Sequence, residues 1–210
     1  MNAYNEIGTR FSEDRIYRYT VSRYAIKQQK MFRTTPPKVC AFIMLNPSVA
    51  DELRNDPTIR RCIGFCRDWC YDIFLGGNLF AFRATDPKAM NAAVDPVGPD
   101  NDEWLRVIAV TADRVVCAWG GTHGSFMNRD QQVWRRLREL REQAGLEPPM
   151  ALRHPTKPGN YGAPHPLYLP KDSLVVPCVL EQRETRSRSK KTSGKAEQQR
   201  GLSESEVTVS

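Results

Sequence analysis

The sequence predicts an α/β fold: a three-layer sandwich around a mostly parallel central sheet of about four strands, with an added N-terminal strand or hairpin. Three observations lead there. Short apolar runs at 39–45, 73–82, 114–119 and 150–152 alternate with stretches of helical periodicity. The runs are apolar at consecutive positions rather than at every second one, the pattern of strands covered on both faces. Several of them break off into polar, proline or glycine residues, as in Asn46-Pro47-Ser48, Trp119-Gly120-Gly121 and His154-Pro155. The carboxyl ends of such strands are where open α/β sheets hold ligands.

The 210 residues suit one domain over 1–180, followed by a polar tail over 181–210 that holds too few large apolar residues to bury a core. No run is long enough to span a bilayer and none resembles a signal peptide, so a soluble, cytoplasmic protein without a membrane partner is expected. Six cysteines in such a chain read as reduced thiols. A net charge of +7 favours a polyanionic partner, nucleic acid or a nucleotide, although part of the excess lies in the tail.

In chain order, residues 15–24 alternate aromatic or β-branched residues with arginine and polar ones. This is the pattern of a half-exposed edge strand with a solvated arginine face. A second reading has the arginines and tyrosines meeting phosphates or stacking on bases. Thr34-Thr35-Pro36-Pro37 breaks the pattern, and the central strand follows. Pro47 cannot donate to a ladder and drives Asn46 from helical geometry, so that strand ends at Asn46.

Asp56-Pro57 then starts a helix, Asp56 as cap and Pro57 where a missing N–H costs nothing. It runs through Ile59, Cys62, Ile63, Cys66 and Trp69. Arg60 and Arg61 occupy its early turns, where the helix dipole disfavours cations, so they are candidates for holding an anion or a buried carboxylate. Cys62, Cys66 and Cys70 share one face at a spacing that matches packing better than a metal site. Asp86-Pro87 starts another helix, and a Pro/Gly/Asp loop over 95–102 leads to a third through Trp104, Leu105 and Ile108. Gly120 and Gly121 permit close backbone approach to a ligand and can form an anion nest. Asn128 caps a fourth helix ending at Gly145, with Val133, Trp134, Leu137 and Leu140 inward and Arg135, Arg136, Arg138 and Arg141 as a basic outer face.

The strand ends therefore gather Asn46 and Ser48, Asn78 or Arg83, the turn Trp119-Gly120-Gly121, and either His154 or His165. Asp51 joins them as a candidate catalytic carboxylate; with Asp56 it could otherwise hold a divalent ion, but acids flanking a turn are more often caps, and no metal or cofactor is expected.

The motifs Leu45-Asn46-Pro47-Ser48 with Asp51, Asp56-Pro57-Thr58-Ile59-Arg60-Arg61, the stretch from Asn78 to Pro87, Asp95-Pro96-Val97-Gly98, Asn101-Asp102 and His165-Pro166-Leu167-Tyr168-Leu169 together resemble a bacterial and phage family, the domain of unknown function 1643, over roughly residues 15–170. The order of strand ends (Asn-Pro-Ser, then Asn-x₄-Arg, Gly-Gly and His-Pro) is more distantly similar to the uracil-DNA glycosylase superfamily. That resemblance implies N-glycosidic hydrolysis of a base flipped from the stack. Asn46 would orient the water, His154 or His165 would bond the departing base, Asn78 would read its edge and Arg83 would meet a phosphate. The alternative is a non-catalytic module that binds nucleic acid or a nucleotide over a surface joining Arg60, Arg61 and Arg83.

Overall fold

The computed structural model describes residues 8–25, 35–48, 55–157 and 162–180. The expected tail over 181–210 and Asp51 lie outside the described residues. The α/β architecture is present, but the sheet is larger and more mixed than the sequence predicts. It has seven strands: β1 (Thr9–Phe11), β2 (Arg18–Tyr24), β3 (Val39–Met44), β4 (Ile73–Asn78), β5 (Arg114–Cys117), β6 (Met150–Arg153) and β7 (Leu174–Pro177). Their order is β1-β2-β4-β3-β5-β6-β7. The inner strands β4, β3, β5 and β6 are parallel, and β1, β2 and β7 run antiparallel at the two sides.

Side-chain alternation along the inner strands builds two cores. Val39, Ala41, Ile43, Ile73, Leu75, Val115 and Cys117 face one way, against α3 (Asn101–Thr111) and α4 (Arg129–Gln143). Cys40, Phe42, Met44, Phe74, Val116 and Leu152 face the other, against α1 (Pro57–Asp68). Every inner strand is thus covered on both sides, which is why its sequence is apolar at consecutive positions. Phe42 is the centre of the second core, stacking on Phe65 and Trp69 and touching Phe74.

The helix starts follow their sequence signals. The Asp56 carboxylate accepts from the Ile59 N–H at 2.7 Å, and Asp86 accepts from Lys88 at the start of α2 (Pro87–Asn91). α4 begins where predicted, but Asn128 is left-handed (φ 56°) and makes no side-chain cap. Gly145 closes that helix at φ +66°, letting Leu146 N–H reach the Arg141 carbonyl at 2.8 Å. Cys62 and Cys66 pack in the core as expected of small residues, while Cys70 lies beyond the helix, exposed and at positive φ.

Two expectations need correction. The strand β2 is not at an edge: it lies between β1 and β4, and Arg18 to Ser22 are all buried. Nor does Arg141 belong to the outer face of α4; it is fully buried. It falls four residues after Leu137, on the apolar stripe. Its guanidinium donates to the carbonyls of Ala109 and Ala112 (both 2.9 Å), Asp113 (3.0 Å) and Glu147. A buried cation there complements the carbonyl end of α3.

Arg141→Met retains the unbranched stem of the side chain but strands those carbonyls without a donor. It is expected to destabilise the fold by about 3 kcal/mol or more. A fall in the urea midpoint at unchanged slope would register the loss.

Candidate functional site

β3 is followed by α1 on one face of the sheet, and β5 is followed by α4 on the other. The connections therefore part between the carboxyl ends of these neighbouring strands, where α/β sheets open a crevice. A cleft of about 450 Å³ lies there. Asn46 and Ser48 reach it from the end of β3, Asn78 from β4, and Trp119, Gly120 and Gly121 from the end of β5. Asp56 and Thr58 come from the start of α1, and His165, Leu167 and Tyr168 from the turn at Pro166–Tyr168. Arg18 completes the polar wall: because β2 runs antiparallel to β4, its first residue lies at the carboxyl edge of the parallel strands.

The polar groups in the cleft differ in how they are held. Asn46 Nδ2 donates to the carbonyls of Ala84 (2.7 Å) and Pro47 (3.2 Å), which fixes the amide plane and leaves Oδ1 as an acceptor. Ser48 Oγ donates to Asp56 Oδ2 at 3.4 Å, so the capping carboxylate also ties the end of β3 to the start of α1. His165 Nδ1 accepts from the Leu167 N–H at 3.3 Å, so in the neutral ring Nε2 carries the proton and is a donor. The ring packs at a tilt on Tyr168, 5.3 Å between centroids, and Tyr168 is itself exposed.

Asn78 and Arg18 have no such anchoring. Asn78 is 1% exposed, yet neither Oδ1 nor Nδ2 has a hydrogen-bond partner among the described residues. Arg18 is 6% exposed and its Nε is likewise without an acceptor. Burial draws the Arg18 guanidinium down to about 10, with Asp56 acting against the shift and Arg83 and Arg23 adding to it. It stays a cation at neutral pH. Buried polar groups are ordinarily satisfied; of the residues with an unsatisfied buried atom, these two line the cleft together with the strand-end polar groups, which marks it as the candidate site.

A family model described as "Protein of unknown function (DUF1643)" matches residues 18–167, most of the chain. The chain belongs to the DUF1643 family. No curated protein and no solved structure matches it. The motifs on which the resemblance rests divide between the cleft and its support. Asn46-Pro47-Ser48, Asp56, Asn78 and His165 line the cleft. Asp95-Pro96-Val97-Gly98 is structural: Asp95 Oδ1 accepts from the Val97 and Gly98 N–H groups, and Gly98, at φ +86°, lies under the Tyr17 ring. Asn101 is structural too, its Nδ2 donating to the carbonyls of Asn78 and Leu79 as the chain leaves β4.

Several candidates from the sequence stand elsewhere. His154 follows β6 outside the cleft lining, and its Nδ1 accepts from the Thr156 and Lys157 N–H groups at 3.2 Å. Arg60, Arg61 and Arg83 do not line the cleft either. Arg60 bonds the Asn55 carbonyl. Arg61 bonds that of Leu169 and lies over the Phe65 ring. Arg83 bonds that of Arg15 and lies over Phe11, holding the N-terminal strands in place. Gly120 needs its positive φ of +83°, but its N–H is engaged with the Ala163 carbonyl at 2.7 Å and is not free for an anion nest. Among the described residues no group of three His, Cys, Asp or Glu is placed to hold a metal, and no helix is long and apolar enough to cross a membrane.

The sequence reading assigned no site role to Thr58 or His123, both of which line the cleft; it reached Arg18 only through the second reading of residues 15–24, Trp119 only as part of the strand-end turn, and took Asp56 chiefly as a cap. Arg18 had a signal, the alternation of residues 15–24, which sorts side chains by face without saying which face is buried.

Burial lowers the His165 imidazole below its ordinary 6.5, partly opposed by the Asp56 charge. The folded ring therefore prefers to be neutral, and the unfolded chain takes the proton first as pH falls. This contribution to stability is present above the ordinary value and is lost below it. The urea midpoint of the wild type is expected to drop more between about pH 7.5 and about pH 5.5 than that of His165→Gln. Equal drops would mean that the imidazole titrates as it does in water.

Proposed function

We propose that the cleft is the active site of a nucleobase-acting hydrolase that cleaves an N-glycosidic bond. The observation that carries the reading is Asn78, whose amide presents a donor and an acceptor together, both buried and both without a partner among the described residues. A nucleobase edge presents the complementary pair, and a site built to bond such an edge discriminates strongly against ligands lacking it. The cleft volume, about 450 Å³, falls in the range of small-ligand sites.

The chemistry follows from the other walls. As the bond between the sugar carbon and the base nitrogen breaks, its electron pair goes to the base, and a cation develops on the sugar. His165 Nε2–H donates to the oxygen on which the negative charge accumulates; a neutral donor does so without giving up its proton. Water then adds to the sugar carbon, oriented by Asn46 Oδ1, and releases its proton to solvent or to the departing base. Asn46 cannot take that proton, so its part is orientation alone. Of the two histidines in the sequence reading, His165 is the one that lines the cleft.

The test is base release from single- and double-stranded DNA carrying uracil and other altered bases, and from free nucleosides and nucleotides. The wild type is expected to release base, and Asn46→Ala and His165→Ala to be slower by about a hundredfold or more. Asn78→Leu is expected to lose substrate binding. Binding without release would replace the enzyme with a binding module. Neither binding nor release would remove the nucleobase reading altogether.

A further inference from the structure

We propose that Arg18 equips the cleft to hold a phosphate ester, so that its ligand is a phosphorylated nucleoside rather than a free base or nucleoside. The proposal rests on the nucleobase reading for the identity of the ligand, but its argument comes from a different part of the site.

Arg18 is a buried cation with no ion-pair partner among the described residues. None of its side-chain nitrogens makes an ion pair or a hydrogen bond among the described residues, although it is 6% exposed and lines the cleft. The nearest compensating charge is Asp56, whose influence opposes the downward shift of the Arg18 pKa. Its two carboxylate oxygens already accept from the Ile59 N–H and from Ser48 Oγ. Arg83 and Arg23 act on Arg18 in the opposite sense, so the neighbourhood of one acid and two further cations leaves it positive.

The other two buried arginines are treated differently. Arg129 pairs with Asp102 and bonds the Leu79 carbonyl, and Arg141 bonds four carbonyls. Arg18 alone of the three waits for an acceptor, and it waits at the wall of the cleft. A guanidinium offers paired N–H donors that match two phosphate oxygens at once, and burial strengthens that pairing.

A second feature faces the same space. α1 starts beside Arg18, and Thr58, at its second position, lines the cleft. Asp56 satisfies the Ile59 N–H, and Pro57 has none to offer, so Thr58 supplies the remaining first-turn N–H together with its hydroxyl. Asn78 and Arg18 stand at terminal positions of the neighbouring strands β4 and β2, and Thr58 opens α1 on the same cleft; on this reading the base goes to Asn78 and the phosphate to Arg18 with Thr58.

Phosphate esters occur both in free nucleotides and in a nucleic-acid backbone, and the experiment separates them. Uridine, uridine 5′-monophosphate, a short single-stranded oligodeoxyuridylate and inorganic phosphate are titrated calorimetrically into the wild type and Arg18→Gln. Wild type is expected to bind the monophosphate about tenfold or more tighter than uridine, and that ratio is expected to collapse toward one in Arg18→Gln. A preference for the oligonucleotide that disappears in the same variant assigns the phosphate to a polymer. Equal affinities for uridine and its monophosphate in the wild type would overturn the proposal while leaving the nucleobase reading intact. Binding of inorganic phosphate that depends on Arg18, with no binding of any nucleoside, would support the anion site and remove the nucleobase reading.

Melting temperature supplies a readout that does not need the variant to bind. Millimolar phosphate is expected to raise that of the wild type more than chloride of equal ionic strength. No such rise, together with no phosphate-dependent affinity, would overturn the proposal.

Discussion

Where the chain leaves β4, the carbonyls of Asn78 and Leu79 are carried past the last rung of the sheet into a buried position, and the rest of the site depends on how they are satisfied. Asn101 Nδ2 donates to both, and Arg129 Nε donates to that of Leu79. These bonds come from the first residue of α3 and the first residue of α4. Two helices packed on one face of the sheet thereby fix the backbone at the point where Asn78 turns its side chain into the cleft. The Asn78 and Leu79 carbonyls engage the core, and the Asn78 amide is left without a partner among the described residues.

The same division runs through the neighbouring strand ends. Leu79 and Phe80 N–H groups bond the carbonyls of Met44 and Leu45, so the ladder between β3 and β4 extends past both strands before the chains separate. Ala84 N–H bonds the Pro47 carbonyl, and the Ala84 carbonyl takes Asn46 Nδ2. Backbone is thus secured on backbone up to the rim, and the acceptor Oδ1 of Asn46 is positioned by the strand that follows β4. A site held by such bonds needs little rearrangement to receive a ligand, which favours both affinity and orientation.

Much of this was legible in the sequence. The inner strands announce themselves because burial on both faces removes any need for polar alternation, and the Asp-Pro pairs at 56–57 and 86–87 mark real helix starts. The outer strands were harder to read. β1 is three residues long, too short to show a period, and β7 is half-exposed at the other side of the sheet. Arginines were the main source of error. Their sequence context gives charge, not depth, and a long side chain can be buried when carbonyls await it. Arg141 was taken for a surface residue although it lies on the apolar stripe, and Arg83 and Arg61 were taken for ligand contacts although backbone carbonyls and aromatic rings hold them. The histidines are separable only in three dimensions: each follows the same His-Pro signal, but one turns its own loop and the other faces the cleft.

The buried arginines also bear on whether the cleft is a site or merely a gap. Burying a guanidinium without a partner is costly, and a fold under selection for stability alone would replace it with an apolar residue of similar size. A single unsatisfied atom at the edge of a side chain is unremarkable, and several occur elsewhere in this chain. At Arg18 and Asn78, by contrast, a nearly inaccessible cation and an amide with neither oxygen nor nitrogen satisfied among the described residues line the same cleft. Elsewhere the same chain supplies carbonyls and a carboxylate to Arg129 and Arg141. A protein that satisfies two buried cations with its own backbone has the means to satisfy a third. That it leaves this one unpaired beside a strand-end amide is the physical case for a polar ligand completing the structure at that place.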